Sequence, residues 1–288
     1  MPEPTFQRSD EVLSVDGAQL YYETRGSGPT VVLIGCPMDA TAFALLAERF
    51  APDYTVITTD PRGINRSKAD NPNLDVTPEV LADDLSLILT KLDTGPVAIF
   101  GSSGGAVTAL AFAQAHPEQV HTVIAHEPPL EELLDDRIEL RAVTEDVVTT
   151  YLSGDTASAW AKFLAGANIT LPDDDAAQWQ GEPDPQQAAD ERFFFAHTLR
   201  PTTWWKPDLL AIRNGEPRIV VGIGALSAGQ TCDRTSRVLC TAFGIEPVIF
   251  PGDHIGFVEN PEAFADRLRP FLGCTTAEPT SPDTTRRP

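Results

Sequence analysis

Positive charge, cysteine and long apolar runs are all scarce in this chain. Against 42 Asp and Glu stand only 21 Lys and Arg, a formal net charge of −21 at pH 7. Such a chain offers no broad cationic face, which argues against nucleic acid or an anionic membrane as partner. Nowhere do about 18 uncharged apolar residues follow one another, the length a membrane-spanning helix needs. The start, Met1-Pro2-Glu3-Pro4-Thr5, has no basic stretch leading into an apolar core. Neither a span nor a secretory leader is read, and a cytoplasmic location is expected. Cys36, Cys232, Cys240 and Cys274 lack metal-ligand spacing and read as reduced thiols rather than a disulfide frame. Neither metal nor cofactor is expected, and the sequon Asn168-Ile169-Thr170 is idle without secretion. No internal repeat is present.

What the chain does have is alternation. With 288 residues and 42% hydrophobic content it can bury one large core, so a single domain with an insertion is expected. An opening hairpin turns at Asp16-Gly17. The run Thr30-Val31-Val32-Leu33-Ile34 is apolar almost throughout, as a strand covered on both faces requires. A helix follows through Phe43, Leu46 and Phe50, then a strand at Tyr54–Thr59 and a helix at Pro78–Leu92 capped by Thr77. Further strands are read at Val97–Phe100, Val120–Ala125, Arg218–Ile223 and Pro247–Phe250, with helices at Thr231–Phe243 and Pro261–Leu272. The expected architecture is α/β, a mostly parallel doubly wound sheet that binds ligands at the carboxyl ends of its strands. Residues 10–130 and 217–273 form this core. Residues 131–216 break the alternation and read as an inserted helical cap, with helical stretches at Glu131–Leu152 and Thr156–Ala167. Residues 1–9 read as a flexible N-terminus and 274–288, rich in Thr, Pro and Ser, as a disordered tail.

One stretch carries chemistry more plainly than any other. Val97 to Gly105 passes from an apolar run through Gly101-Ser102-Ser103-Gly104-Gly105 into the helical Ala106-Val107-Thr108-Ala109-Leu110. This strand, sharp turn and helix fit G-x-S-x-G, a nucleophile elbow with Ser103 at its tip. Gly101 and Gly105 have no Cβ, so strand and helix can close on a serine held in strained geometry. A glycine-rich anion loop is the alternative, but neither the Lys-Ser/Thr ending of a P-loop nor a third spaced glycine is there. A serine hydroxyl needs a base, itself oriented by a third group. Of the five histidines, His254 follows the last strand in Pro251-Gly252-Asp253-His254 and reaches the sheet edge that holds Ser103.

From the strand, the elbow and the histidine together, residues 10–273 resemble the α/β-hydrolase superfamily, whose acid falls between serine and histidine in chain order. The usual acid position, after the strand Arg218–Ile223, holds Ser227 here. The candidates are Glu127, directly after the strand that follows the elbow helix, Asp233 in the next helix, and a dyad or another group in place of either. Ala125-His126-Glu127-Pro128-Pro129 is similar to the Cys-His-Glu-Leu-Pro of zearalenone lactonase-type hydrolases, and Glu127 is preferred on that likeness. His126 is expected to pack beside the site. The resemblance also implies an oxyanion hole from the backbone amides of Gly104 and Cys36. Asp60-Pro61-Arg62-Gly63-Ile64-Asn65-Arg66-Ser67 resembles the family's D-x-R-G-x-G-x-S turn, with Asn65 for a glycine. Phe193, Phe195, His197, Trp204 and Trp205 in the cap are candidates to line the substrate pocket.

The function expected is cofactor-independent hydrolysis of a neutral or apolar carboxylic ester or lactone through an acyl-enzyme on Ser103. The alternatives are a ligand-binding or cyclising relative, and a C–C hydrolase or perhydrolase. A small-molecule substrate is the expected partner, with a homodimer left open.

Overall fold

The computed structural model of the chain describes residues 8–169 and 184–273. Of the expected loose ends at 1–9 and 274–288, residues 1–7 and 274–288 lie outside the described residues, as does the Asp-, Gln- and Pro-rich stretch from 172 apart from Asp184 and Pro185, while Ser9 is already the first residue of a strand.

The chain opens with a hairpin, β1 (Ser9–Val15) and β2 (Ala18–Arg25), whose Asp16-Gly17 turn uses a positive φ of 75° at Gly17. Then come β3 (Thr30–Ile34), α1 (Ala44–Phe50), β4 (Thr55–Thr59), the two-residue β5 (Lys68–Ala69) and α2 (Pro78–Leu92). β6 (Val97–Ser102) runs into α3 (Gly104–Ala115), followed by β7 (Val120–His126). Among the described residues, five helices precede the next strand: α4 (Arg137–Leu152), α5 (Thr156–Ala167), α6 (Pro185–Phe193), α7 (Leu199–Thr203) and α8 (Leu209–Asn214). The chain closes with β8 (Arg218–Gly224), α9 (Thr231–Phe243), β9 (Val248–Phe250), α10 (Gly256–Glu259) and α11 (Pro261–Leu268).

The nine strands form one sheet in the order β1-β2-β4-β3-β6-β7-β8-β9, with β5 on β2. Pairs from β4 through β9 are parallel, and β2 joins them antiparallel. Successive side chains alternate between two cores, as pleating demands. Val32, Ile34, Ile99 and Val123 pack under α2 and α3, while Val31, Leu33, Phe100 and Ile124 pack under α1 and α11. Both faces are thus covered, which is why these strands read as continuous apolar runs.

Two expected helices are shorter than read. The closing helix stops at Leu268 and gives way to a 3-10 turn at Arg269–Phe271, because Pro270 has no N–H to extend the ladder. The stretch from Glu131 splits into a 3-10 turn, Glu131–Leu133, and α4, since Leu134 turns extended (φ −90°, ψ 151°) to bury its side chain. Between α6 and α7 the chain passes through a π-helical turn, Phe194–Thr198, that shifts the phase of the side chains around it.

Candidate active site

The parallel register lines up three strand ends: Ser102 lies opposite His126, and His126 opposite Gly222. The next residues along β6 and β7 are Ser103 and Glu127, and both leave the strand with positive φ, 57° and 52°. Neither residue type favours that region, so the surrounding contacts must hold it. Ser103 N–H donates to the His126 carbonyl at 3.0 Å and Glu127 N–H to the Gly222 carbonyl at 3.0 Å, which extends the ladder around both bends.

Glycine is required around the elbow for space. A Cβ on Gly101 would stand 2.3 Å from the Gly105 carbonyl, and one on Gly105 would stand 2.4 Å from that of Ile34. A Cβ on Gly104 would be 2.6 Å from the Cys36 carbonyl, so the two residues expected to give oxyanion donors lie against each other.

Glu127 is 0% exposed and its two oxygens divide the work. Oε1 accepts from Gly224 N–H at 2.7 Å, and Oε2 meets His254 Nδ1 at 2.5 Å. Gly224 also opens the path for the histidine loop, since a Cβ there would stand 2.7 Å from the Asp253 backbone that crosses the end of β8. Burial pushes the Glu127 carboxyl up, but the His254 hydrogen bond and charge outweigh it and bring it down to about 2. The carboxylate is therefore ionised at neutral pH and accepts a hydrogen bond from Nδ1–H, a tautomer that leaves Nε2 of His254 able to act as a base. Ser227 stands after β8, where the family's acid is expected. Its buried hydroxyl lies near Glu127 and favours the carboxylate, but it is not at true hydrogen-bonding geometry.

The other carboxylate candidate is engaged elsewhere. Asp233 Oδ2 accepts from Gly229 N–H at 2.9 Å and Oδ1 from Arg237 at 2.7 Å. Arg62 does not compete for Glu127 either, because it grips Asp84 through two bonds of 2.8 and 2.5 Å. His126 is wholly enclosed, its Nδ1 3.2 Å from Ser102 Oγ and its ring among Phe100, Phe250 and Phe264. Burial drives its imidazole down to about 4, so it is neutral at pH 7. Burial pushes the Cys36 thiol up to about 12, which removes it as a nucleophile.

A cavity of about 120 Å³ has Ser103, Gly104, Cys36 and His254 on one wall. The opposite wall is apolar and comes from the helices between β7 and β8, with Leu140, Val143, Val147, Phe163, Phe194 and Leu199. The residues expected to line it stand elsewhere. Phe193 docks over Gly63, where a Cβ would stand 2.3 Å from the ring. Phe195 is 0% exposed, stacked on Tyr151 at 4.4 Å inside the helical layer. His197 faces Asp75 at 3.1 Å, Trp204 lies under Arg141, and Trp205 enters the main core and donates to Glu79 at 2.6 Å. The π-helical turn decides which of three successive phenylalanines faces the cavity, and it is Phe194. Glu131 and Thr144 also line it, and the sequence does not mark them, because an acid pair Glu131-Glu132 has the signature of an ordinary exposed turn.

The family turn at Asp60 keeps its form. Asp60 accepts from Arg66 at 2.7 and 2.8 Å and from Ala40 N–H at 3.0 Å, and Asn65 takes a φ of 48° where the pattern has glycine.

Sheet, elbow and turn together define an α/β hydrolase. The alpha/beta hydrolase fold family model matches residues 29–174, and the chain belongs to that family. It is 31% identical over 265 residues to the uncharacterized hydrolase YraK of Bacillus subtilis, covering 90% of this chain and 94% of that one. A zearalenone hydrolase of Cladophialophora bantiana is 34% identical over 264 residues, covering 88% and 92%. Another, of Bionectria ochroleuca, is 27% identical over 263 residues, covering 87% and 92%. Among solved structures, an esterase from Exiguobacterium antarcticum superposes with a TM-score of 0.67 at 20% identity, covering 93% and 99%. Among the described residues, no helix is long and apolar enough to cross a membrane.

Proposed function

We propose that this chain is a serine hydrolase acting on a neutral or apolar carboxylic ester or lactone. The observation that carries the reading is the 2.5 Å contact of Glu127 with His254, on the wall of the same cavity that Ser103 lines. In this mechanism His254 Nε2 takes the Ser103 proton as Oγ attacks the carbonyl, and Glu127 stabilises the imidazolium that results. The Gly104 and Cys36 amides receive the oxyanion; losing one such donor typically costs ~3 kcal/mol of transition-state stabilisation. His254 then protonates the leaving alcohol, and water, activated by the same ring, frees the acyl group.

The substrate class rests on the apolar far wall and on two relatives named as zearalenone hydrolases. Residues 131–216 act as the lid over the rim, and the enzyme works on a small molecule in the cytoplasm. The test is a fluorophosphonate probe with mass analysis, together with release of p-nitrophenol from short-chain esters. We expect one adduct on Ser103, absent from Ser103→Ala, and steady turnover. No adduct and no turnover would refute the reading. An adduct without turnover would favour a ligand-binding or cyclising relative.

A further inference from the structure

Among the described residues that line the cavity, Glu131 is the one acidic side chain, and neither Lys nor Arg joins it there. Its Oε2 is buried without a hydrogen-bond partner. Two of the chamber's hydroxyls are committed to backbone carbonyls. The Thr203 hydroxyl donates to the Leu199 carbonyl at 3.1 Å and the Thr231 hydroxyl to that of Gly166 at 3.0 Å. On the proposed reading, Ser103 and His254 belong to the reacting carbonyl. A buried carboxyl oxygen with no donor is costly to keep, and the cost is relieved when a ligand brings one.

Among the described residues, the charged neighbours of Glu131 offer it no ion pair. Glu132 and Asp136 on the same segment are like-charged, and the nearby cations are taken: Arg141 by Glu132 at 2.5 Å and Arg234 by Asp136 at 2.6 Å. From α4 only the Thr144 hydroxyl favours the carboxylate, and from α9 the neighbour is the Cys232 thiol, itself pushed up by burial. Burial is the main influence on Glu131 and pushes its carboxyl up to about 7.

We propose that Glu131 is the recognition group of the chamber, accepting a hydrogen bond from a hydroxyl or amine on the otherwise apolar part of the substrate, away from the reacting carbonyl. This rests on the cavity being the acyl-transfer chamber, and it narrows the substrate class to apolar esters or lactones that carry one such donor. Space on the order of 100 Å³ suits a benzene-sized group, so phenol and toluene, close in shape and differing in one donor, are suitable probes.

Binding of each to the full-length chain is measured by calorimetry or ligand-observed NMR at pH 6 and pH 8. The phenol-to-toluene affinity ratio is expected to fall about tenfold or more in Glu131→Leu. In the unaltered chain the ratio rises with pH as the carboxyl ionises and becomes the better acceptor. Glu131→Gln keeps an acceptor and removes the titration, so it holds a high ratio that no longer varies with pH. A ratio untouched by Glu131→Leu, or no binding of phenol by the unaltered chain, overturns the proposal. Fluorophosphonate labelling of Ser103 in the same samples separates the two readings. Labelling with an unchanged ratio removes only the role of Glu131, whereas a changed ratio without labelling removes the hydrolase.

Discussion

The two walls of the cavity are held in different ways. On the sheet side, Ser103, Glu127 and His254 owe their positions to backbone: strand register, two positive φ values, and glycines at 101, 105 and 224 where no Cβ fits. On the far side, Leu140, Val147, Phe163 and Phe194 sit where helix packing puts them, around a satellite core of Tyr151, Phe195 and Leu199 separate from the two cores of the sheet. Side chains on the first wall have little room to vary without moving a strand. Those on the second can change shape while the helices stay in place. On the proposed function, chemistry is thus tied to the rigid wall and selectivity to the adaptable one.

The largest expected effect tests the rigid wall alone. Glu127→Gln keeps the size of the side chain but removes the charge that fixes the His254 tautomer. A loss of turnover of ~10⁴-fold is expected, by analogy with neutralising the acid of a Ser-His-Asp triad. Asp233→Asn should leave turnover within a few-fold, because that carboxylate serves only Gly229 and Arg237. Steady-state hydrolysis of one ester by both variants decides the matter, and a larger loss in Asp233→Asn would move the acid to the other residue.

The next effect separates the walls. Phe195→Ala empties a fully enclosed site beside Tyr151 and Trp160, and core deletions of this kind cost ~3–5 kcal/mol. Urea denaturation should register that loss. Turnover at saturating ester should fall far less than in Glu127→Gln, because no atom of the sheet rim has moved. An equal loss of turnover in the two variants would show that the two walls are one mechanical unit.

This division also explains what could be seen in the residues beforehand. Backbone-determined features leave marks in sequence. The glycines of 101–105 and the apolar run 30–34 each state a geometric need at a fixed position, topology carries His254 to the same edge, and Glu127 stands out through its likeness to the lactonase-type motif. Packing-determined features do not. Phe193, Phe194 and Phe195 are the same residue type, and only the π-helical turn, which no side chain announces, points the middle one at the cavity. Trp205 had the signature of a pocket aromatic, yet the core beneath it offers both apolar contact and a carboxylate for its N–H. Glu131 was hidden by composition, since in a chain with 42 acidic residues one more in an acidic turn carries no signal.

The smallest effect sets the walls against each other through pH. His126, behind the rim, has its imidazole lowered from 6.5 to about 4 by burial. The folded state refuses a proton that the unfolded chain accepts, so its contribution is present above pH 6.5 and is lost as pH falls toward 4. Glu131, on the opposite wall, has its carboxyl raised from 4.5 to about 7. Its contribution is fully present below pH 4.5 and is lost as pH rises through 7. The two therefore oppose each other over the same interval, and stability should change less with pH there than either group alone would make it. Glu131→Gln uncovers the difference, because a neutral amide carries no titration. The variant should be more stable than the unaltered chain at pH 8, by at most roughly 3 kcal/mol for a shift of this size, and the gap should close as pH falls to 4.5. Denaturant midpoints measured at several pH values give the gap directly. A gap that stays constant with pH would mean that Glu131 is already ionised in the folded protein, and that the far wall carries its charge without any help from a ligand.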